Sequence, residues 1–237
     1  VETQAGKSAL PWDHPLNFGP IGVTGSSSAN RLFDTADLVI GIGTRFQDFT
    51  TGSWSLFGDL PLVSINVSSF DANKRNACSL VSDAKVALEE LEAALPQISF
   101  AWPDARLKEE WFDAVDRLTA RPQDESGLPT DMQVIGAVQR TSTDQTVVMC
   151  AAGTMPGELH KLWKASAPGS YHMEYGFSCM GYEIAGAIGI KMADQSKQVV
   201  CMVGDGSYMM MNSELATAVM MGLDFTVVVT DNRGFGC

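Results

Sequence analysis

The amino-acid sequence predicts an α/β protein made of two doubly wound parallel-sheet domains. Short continuous apolar runs alternate along it with stretches of helical period, the pattern of strands buried on both faces and joined through helices. One unit is complete in outline: the apolar run Gln198 to Val203, a helix-like stretch Asn212 to Met221 and the apolar run Phe225 to Val229 form a βαβ unit. The chain's 237 residues, 45% of them hydrophobic and 19% charged, can bury a sizeable core and suit two globular domains.

Taken in order, Gly6 to Gly25 carries Pro11, Pro15 and Pro20 with Gly19, Gly22 and Gly25, so it reads as a long irregular segment entering a helix near Ser27 to Thr35. Asp37 to Gly43 is a buried strand, and Leu62 to Val67 is a second one beyond the loop Phe46 to Phe57. Asp83 can cap a helix on which Val86 or Leu88, Leu91 and Leu95 recur at helical spacing before Pro96. The first domain closes near residue 100. Pro103 to Arg121 predicts an amphipathic helix whose Trp111 and Phe112 pack against a core, and Arg121 to Gly127 is turn-rich, so residues 101–127 connect the domains.

The second domain, residues 128–237, opens on Thr130 and Gln133, spaced as a capping box for a helix to about Arg140. Thr146 to Cys150 is a strand, followed by Ala152 to Gly157, where Pro156 suits the first turn of a helix ending at Trp163. Tyr171 to Tyr175 is extended. Gly176 to Gly181 then leads into a helix, Tyr182 to Met192, whose Gly186 and Gly189 weaken it unless something packs closely against them.

The chemistry gathers where these strands end. Parallel neighbours run the same way, so Asp205 of Gly204-Asp205-Gly206-Ser207 and Asn232 of Asp231-Asn232-Arg233-Gly234 emerge at one edge, where open α/β sheets bind ligands. Glycines let the backbone approach a phosphate, and a carboxylate, an amide oxygen and a carbonyl suit Mg²⁺, which shares its shell with phosphates. Thr154 and Met155, on a loop at the same edge, form a second candidate phosphate contact.

A Gly-Asp-Gly triplet answered, after a helix and a strand, by an asparagine-containing turn resembles the signature of thiamine-diphosphate-dependent enzymes. The resemblance implies thiamine diphosphate and Mg²⁺ as cofactors. By it, Asp205, the Asn232 side chain and the Gly234 carbonyl hold the metal, and Gly206 and Ser207, with Gly204, lie near the diphosphate. The helix from Tyr182 lies beneath the cofactor, Met180 is the bulky residue that bends it, and the Ser178 carbonyl accepts from its aminopyrimidine. Residues 1 to about 100 resemble the central domain of acetohydroxyacid-synthase-like enzymes, and 128 to 237 the first part of their diphosphate-binding domain.

Three runs, Glu2 to Asn17, Gly43 to Gly52 and Glu174 to Ala185, are similar to those of one member that hydrolyses a ring carbon–carbon bond. That implies a small polyhydroxylated cyclic dione as substrate. An acetolactate-synthase-like carboligase or 2-keto-acid decarboxylase is the alternative enzyme, and a non-catalytic regulatory or assembly domain the alternative of another class. The family's activating glutamate belongs to an N-terminal domain outside residues 1–237, and its active sites form between subunits. The chain therefore reads as a fragment, inactive by itself, of a homo-oligomer (dimer or tetramer). Val1 in place of a start methionine, and Cys237 directly after the metal loop, point the same way.

Other classes fit less well. A net charge of −12 without a basic, aromatic-interleaved cluster speaks against nucleic acid, and no run of about 18 apolar residues speaks for a membrane span, so a soluble, cytoplasmic protein is expected. Gly41-Ile42-Gly43 lacks the third glycine of a dinucleotide fingerprint, Phe46 standing in its place. Gly176 to Met180 misses the nucleophile elbow by its second glycine. His14, His160 and His172 form no metal-ligand spacing, and the five cysteines, without a CxxC pair, are expected to be reduced thiols. Glu158, Glu174 and Glu183 are each candidates for acid–base work, Glu183 foremost because it adjoins the cofactor-facing helix.

Overall fold

The structure, a computed structural model, describes residues 1–96, 102–122 and 127–235. The domain closure expected near residue 100, most of the turn-rich connection and Cys237 lie outside the described residues.

The first sheet is parallel, in the order β1 (Val39–Ile42), β2 (Leu62–Asn66), β3 (Cys78–Val81), with Gly41 beside Ser64 and Ile65 beside Leu80. Its helices are α1 (Ser27–Asn30), α2 (Asp48–Thr51), α3 (Ser69–Ala72) and α4 (Ala84–Ala94). Ser26 caps α1 and Asp83 caps α4, accepting from the amides of Lys85 and Val86. Three expectations change. The strand expected over Asp37 to Gly43 forms as β1 but is not buried, since Ile40 and Ile42 are exposed and only Gly41 is covered. The strand β3 has no counterpart in the sequence reading, because its four residues are too short to show a period. The apolar spacing along α4 does not mark a buried face: Ala87 alone is buried there, while Val86, Leu88 and Leu95 stay exposed.

The chain then enters α5 (Arg106–Leu118), which leans on the second domain. Trp111 and Val115 are buried in one core with Ile135, Val148 and Leu159, and the Trp111 indole donates to the Lys161 carbonyl at 3.2 Å. Next come α6 (Asp131–Gln139), with the Thr130/Gln133 capping box formed, β4 (Thr146–Cys150), α7 (Thr154–Leu162), β5 (Tyr171–Met173), α8 (Tyr182–Ala193), β6 (Gln198–Gly204), α9 (Asp205–Met211), α10 (Glu214–Met220) and β7 (Thr226–Thr230). The sheet is parallel in the order β5-β4-β6-β7. The chain thus winds one way from β4 and the other way from β6, which makes the carboxyl ends of β4 and β6 a topological switch point.

Gly186 behaves as its position demands, since a Cβ there would meet Met149 Cε at 2.7 Å; Gly189 faces open space. Between β6 and β7 the helix begins earlier than expected. It starts at Asp205 itself, breaks at Asn212 and Ser213, and resumes as α10. Gly204 serves as the extended N-cap, where glycine is tolerated, and Asp205 in the first turn suits the positive end of the helix.

The N-terminal segment seals the two halves. Glu2 pairs with Pro20, the Trp12 amide donates to Ala165, and the buried His160 ring contacts Thr24 Oγ1 through Nδ1 at 3.0 Å. Lys7 is enclosed beneath this segment, its ammonium 4.0 Å from Glu2 and facing the rings of Trp111 and Tyr171. Its Nζ has no hydrogen-bond partner among the described residues. Burial pulls the Lys7 pKa down to about 8, with Glu2 and Cys150 opposing it. In the unfolded chain the group titrates near ~10.4. From the folded value up to that one, the unfolded state holds the extra proton, so stability rises with pH across this window. The Lys7→Met variant should lose that rise, a difference of about 3 kcal/mol between pH 8 and pH 10.5. Urea unfolding of wild type and variant at both values checks it.

Candidate active site

Four loops leave the carboxyl edge of the second sheet, one after each strand, and the sheet's hydrogen bonding sets their spacing. Gly204 pairs with Thr230, so Asp205 and the Asp231–Gly234 loop begin side by side. Gly153, at φ +112°, turns the chain from β4 into α7 in a conformation open to glycine. Beyond β5, Ser178 is left-handed at φ +52°, and the loop around it is fastened by Glu174, which accepts from the amides of Phe177 (2.9 Å) and Cys179 (2.7 Å). Burial works against the Glu174 charge, but these amides outweigh it and hold its pKa below the usual value.

Every residue that the sequence nominated for the cofactor, from Thr154 to Gly234, lines one cavity of about 220 Å³ at this edge. They do not contribute alike. Thr154 is exposed at the rim, whereas the Met155 side chain is only 3% exposed and belongs to the core, leaving its backbone for the cavity. Met180 stands partly free above the floor. Gly206 faces the Phe235 ring so closely that a Cβ would lie 2.6 Å from it.

The Ser207 side chain turns away from the cavity. Its hydroxyl donates to the Glu183 carboxylate, 2.9 Å from each oxygen, and accepts from the Gly181 amide at 2.7 Å. Gly181 also donates to Glu183 at 2.9 Å. Glu183 is fully buried, and burial raises its pKa, with Ser207 and nearby amides opposing the shift. Its carboxylate therefore ties the Ser178–Gly181 loop to the Gly204–Ser207 turn from below. Sequence reading marked Glu183 but not its partner; the signal was an acidic residue in an otherwise apolar helix start, which needs a donor once buried. Of the other glutamates, Glu158 pairs with Lys161 at 3.1 Å and Glu174 is occupied by its loop.

The donor set fits a divalent cation. Among the described residues Asp205 Oδ1 is buried without a hydrogen-bond partner, a costly state for a carboxylate unless a positive charge completes it. Asn232 and Gly234 line the same cavity, and an amide side chain and a backbone carbonyl are hard oxygen donors of the kind such a cation takes. Among the described residues no cluster of three or more His, Cys, Asp or Glu offers an alternative.

Residues 1–91 match the central domain of thiamine pyrophosphate enzymes, and residues 151–237 their C-terminal TPP-binding domain. The chain is 43% identical over 263 residues to a 3D-(3,5/4)-trihydroxycyclohexane-1,2-dione hydrolase of Clostridium perfringens. It is 42% identical over 260 residues to the protein of that name from Geobacillus thermodenitrificans, and 44% over 264 residues to one from Bacillus cereus. Each alignment takes in 100% of this chain and 41% of the relative, so the chain spans about two-fifths of the length of these proteins.

Removing the Glu183 carboxylate strands two donors in a closed space. Glu183→Ala should cost about 2–3 kcal/mol of unfolding free energy, and Glu183→Gln, which keeps one acceptor oxygen, about half of that. Urea denaturation at pH 7 measures both.

Proposed function

This chain belongs to the thiamine pyrophosphate enzymes, and from that premise we propose that it carries the cofactor-holding part of an enzyme of myo-inositol catabolism. The reaction is hydrolysis of one ring carbon–carbon bond of trihydroxycyclohexane-1,2-dione to 5-deoxy-glucuronate. The observation that carries the reading is the single cavity at the sheet edge, where four loops converge on a buried, unpartnered Asp205 oxygen. That oxygen also counts against a non-catalytic domain, which would have no use for an uncompensated carboxylate.

Asp205, the Asn232 amide oxygen and the Gly234 carbonyl would hold Mg²⁺, which anchors the diphosphate. The amides of Gly206 and Ser207 would receive its oxygens, while the Ser207 side chain stays with Glu183 and keeps that turn in place. Met180 would support the ring portion from below, and the Ser178 carbonyl would orient the aminopyrimidine. When bound, thiamine diphosphate supplies the nucleophile and the electron sink for carbon–carbon cleavage. The balance is simple: the ring opens, the hydroxyl of one water ends on the acyl carbon as a carboxylate, and the departing carbon takes up a proton. We further propose a cytoplasmic homo-oligomer, dimer or tetramer, whose active sites are completed by residues outside this chain. Among the described residues no helix is long and apolar enough to cross a membrane.

Two measurements test this. Given the dione, the full-length protein should release 5-deoxy-glucuronate, followed by NMR; acetolactate from pyruvate with no 5-deoxy-glucuronate would favour a carboligase instead. Calorimetry with thiamine diphosphate and Mg²⁺ should show Asp205→Ala binding at least about 100-fold more weakly than wild type, the loss of roughly 3 kcal/mol. Equal affinity would remove Asp205 from the metal site.

A further inference from the structure

A second, more polar crevice opens between the two domains. It has a volume of about 290 Å³ and is built by residues 3–5, 43–45, Gln47, Thr50, 173–176 and Tyr182, segments far apart in the chain. Apart from Met173, these residues lie in the three runs by which the sequence resembles a ring-cleaving enzyme. The lining is chiefly of amides, hydroxyls and one guanidinium, a set that can both donate to and accept from an uncharged polyol.

Two groups in it await partners. Gln4 is only 3% exposed; its Nε2 donates to Thr24 Oγ1 at 2.6 Å and its side chain also interacts with Tyr175, while its Oε1 is buried with no hydrogen-bond partner among the described residues. Arg45 extends from the first domain toward the second, its Nη2 lying 3.8 Å from where a Cβ on Gly176 would be. Its carbonyl accepts from Lys74; among the described residues its guanidinium makes no hydrogen bond or ion pair, though its charge acts on the Asp71 carboxylate nearby. Tyr175 packs its ring edge-on against Phe49, which sets its position in the wall. A neighbouring cavity of about 520 Å³ shares Gln4, Met173 and Tyr175 with this crevice, and shares Gly153, Thr154 and Ser178 with the cofactor cavity. The three spaces are thus neighbours in series through shared lining residues, which sets a path from the crevice toward the cofactor cavity.

We propose that this crevice reads the hydroxyl-bearing side of a polyhydroxylated six-membered ring, with Gln4, Arg45 and Tyr175 as the hydrogen-bonding groups and the dicarbonyl side directed along the path to the cofactor. The inference rests on the ring-cleavage reading for its substrate and on the crevice alone for its location. Glu174 is not among the recognition groups, because loop amides already occupy its carboxylate.

The test uses the full-length protein with Mg²⁺ and thiamine diphosphate, as wild type, Arg45→Met and Gln4→Met. KM for the dione should rise about tenfold in each variant, the loss of one or two hydrogen bonds, while kcat and the cofactor's dissociation constant stay within about twofold. An unchanged KM in both variants, with wild type active on the dione, overturns the crevice and leaves the reaction standing. If wild type does not cleave the dione, calorimetry with myo-inositol decides. Binding to wild type that both variants lose supports the crevice while the reaction assignment falls; absent binding, or binding the variants keep, overturns it. Should Gln4→Met unfold early, Arg45→Met decides alone, since that side chain is exposed.

Discussion

The carboxylate of Glu183 is the fastening on which the cofactor edge depends. It sits below the cavity with no exposure to water, and it receives Ser207 from one loop and Gly181 from another. Those loops belong to different strand ends and would otherwise be related only through the sheet. A buried acid is expensive, and here the donors offset part of that cost. The arrangement leaves the upper face of the Gly204–Ser207 turn, with the unpartnered Asp205 oxygen, free to meet a ligand. Stability is placed under the turn and unsatisfied polarity above it.

The second domain was largely legible in sequence because its two central strands, β4 and β6, are buried over nearly their whole length. Thr146 to Cys150 is buried at every position, so the apolar run and the strand coincide. The capping box at Thr130 and the aspartate cap at Asp83 were equally plain, since they depend on contacts within one turn. Legibility failed where tertiary context decides. The four residues of β3 are all exposed and carry no period, and the spaced apolar side chains of α4 find no cover. At the site, spacing pointed to Asp205 and Asn232, but it could not tell that the Ser207 hydroxyl turns inward. That outcome is set by Glu183, which lies 24 residues away in the chain and is adjacent only in the fold.

The seam between the domains has a polar character that is unusual for a core. Lys7, Gln4 and His160 are all enclosed there, and among the described residues each has a side-chain nitrogen or oxygen without a hydrogen-bond partner. Burial takes the His160 pKa down to about 3, with the Lys7 charge also lowering it and backbone contacts opposing, so the ring crosses the seam neutral. A fully apolar seam would join the halves more firmly. Of these three groups Gln4 reaches the wall of the crevice, while Lys7 and His160 stay enclosed in the seam.

The reversal of winding between β4 and β6 has one further consequence. Neighbouring strands stand about 4.8 Å apart, so loops rooted at Cys150, Gly204 and Thr230 start from points on a fixed lattice. The lattice works as a ruler and the loops as interchangeable jaws. Side chains on a jaw can be exchanged to grip a different substrate, while the distance between the jaws, which a bound diphosphate must span, is inherited from the backbone and does not drift with them.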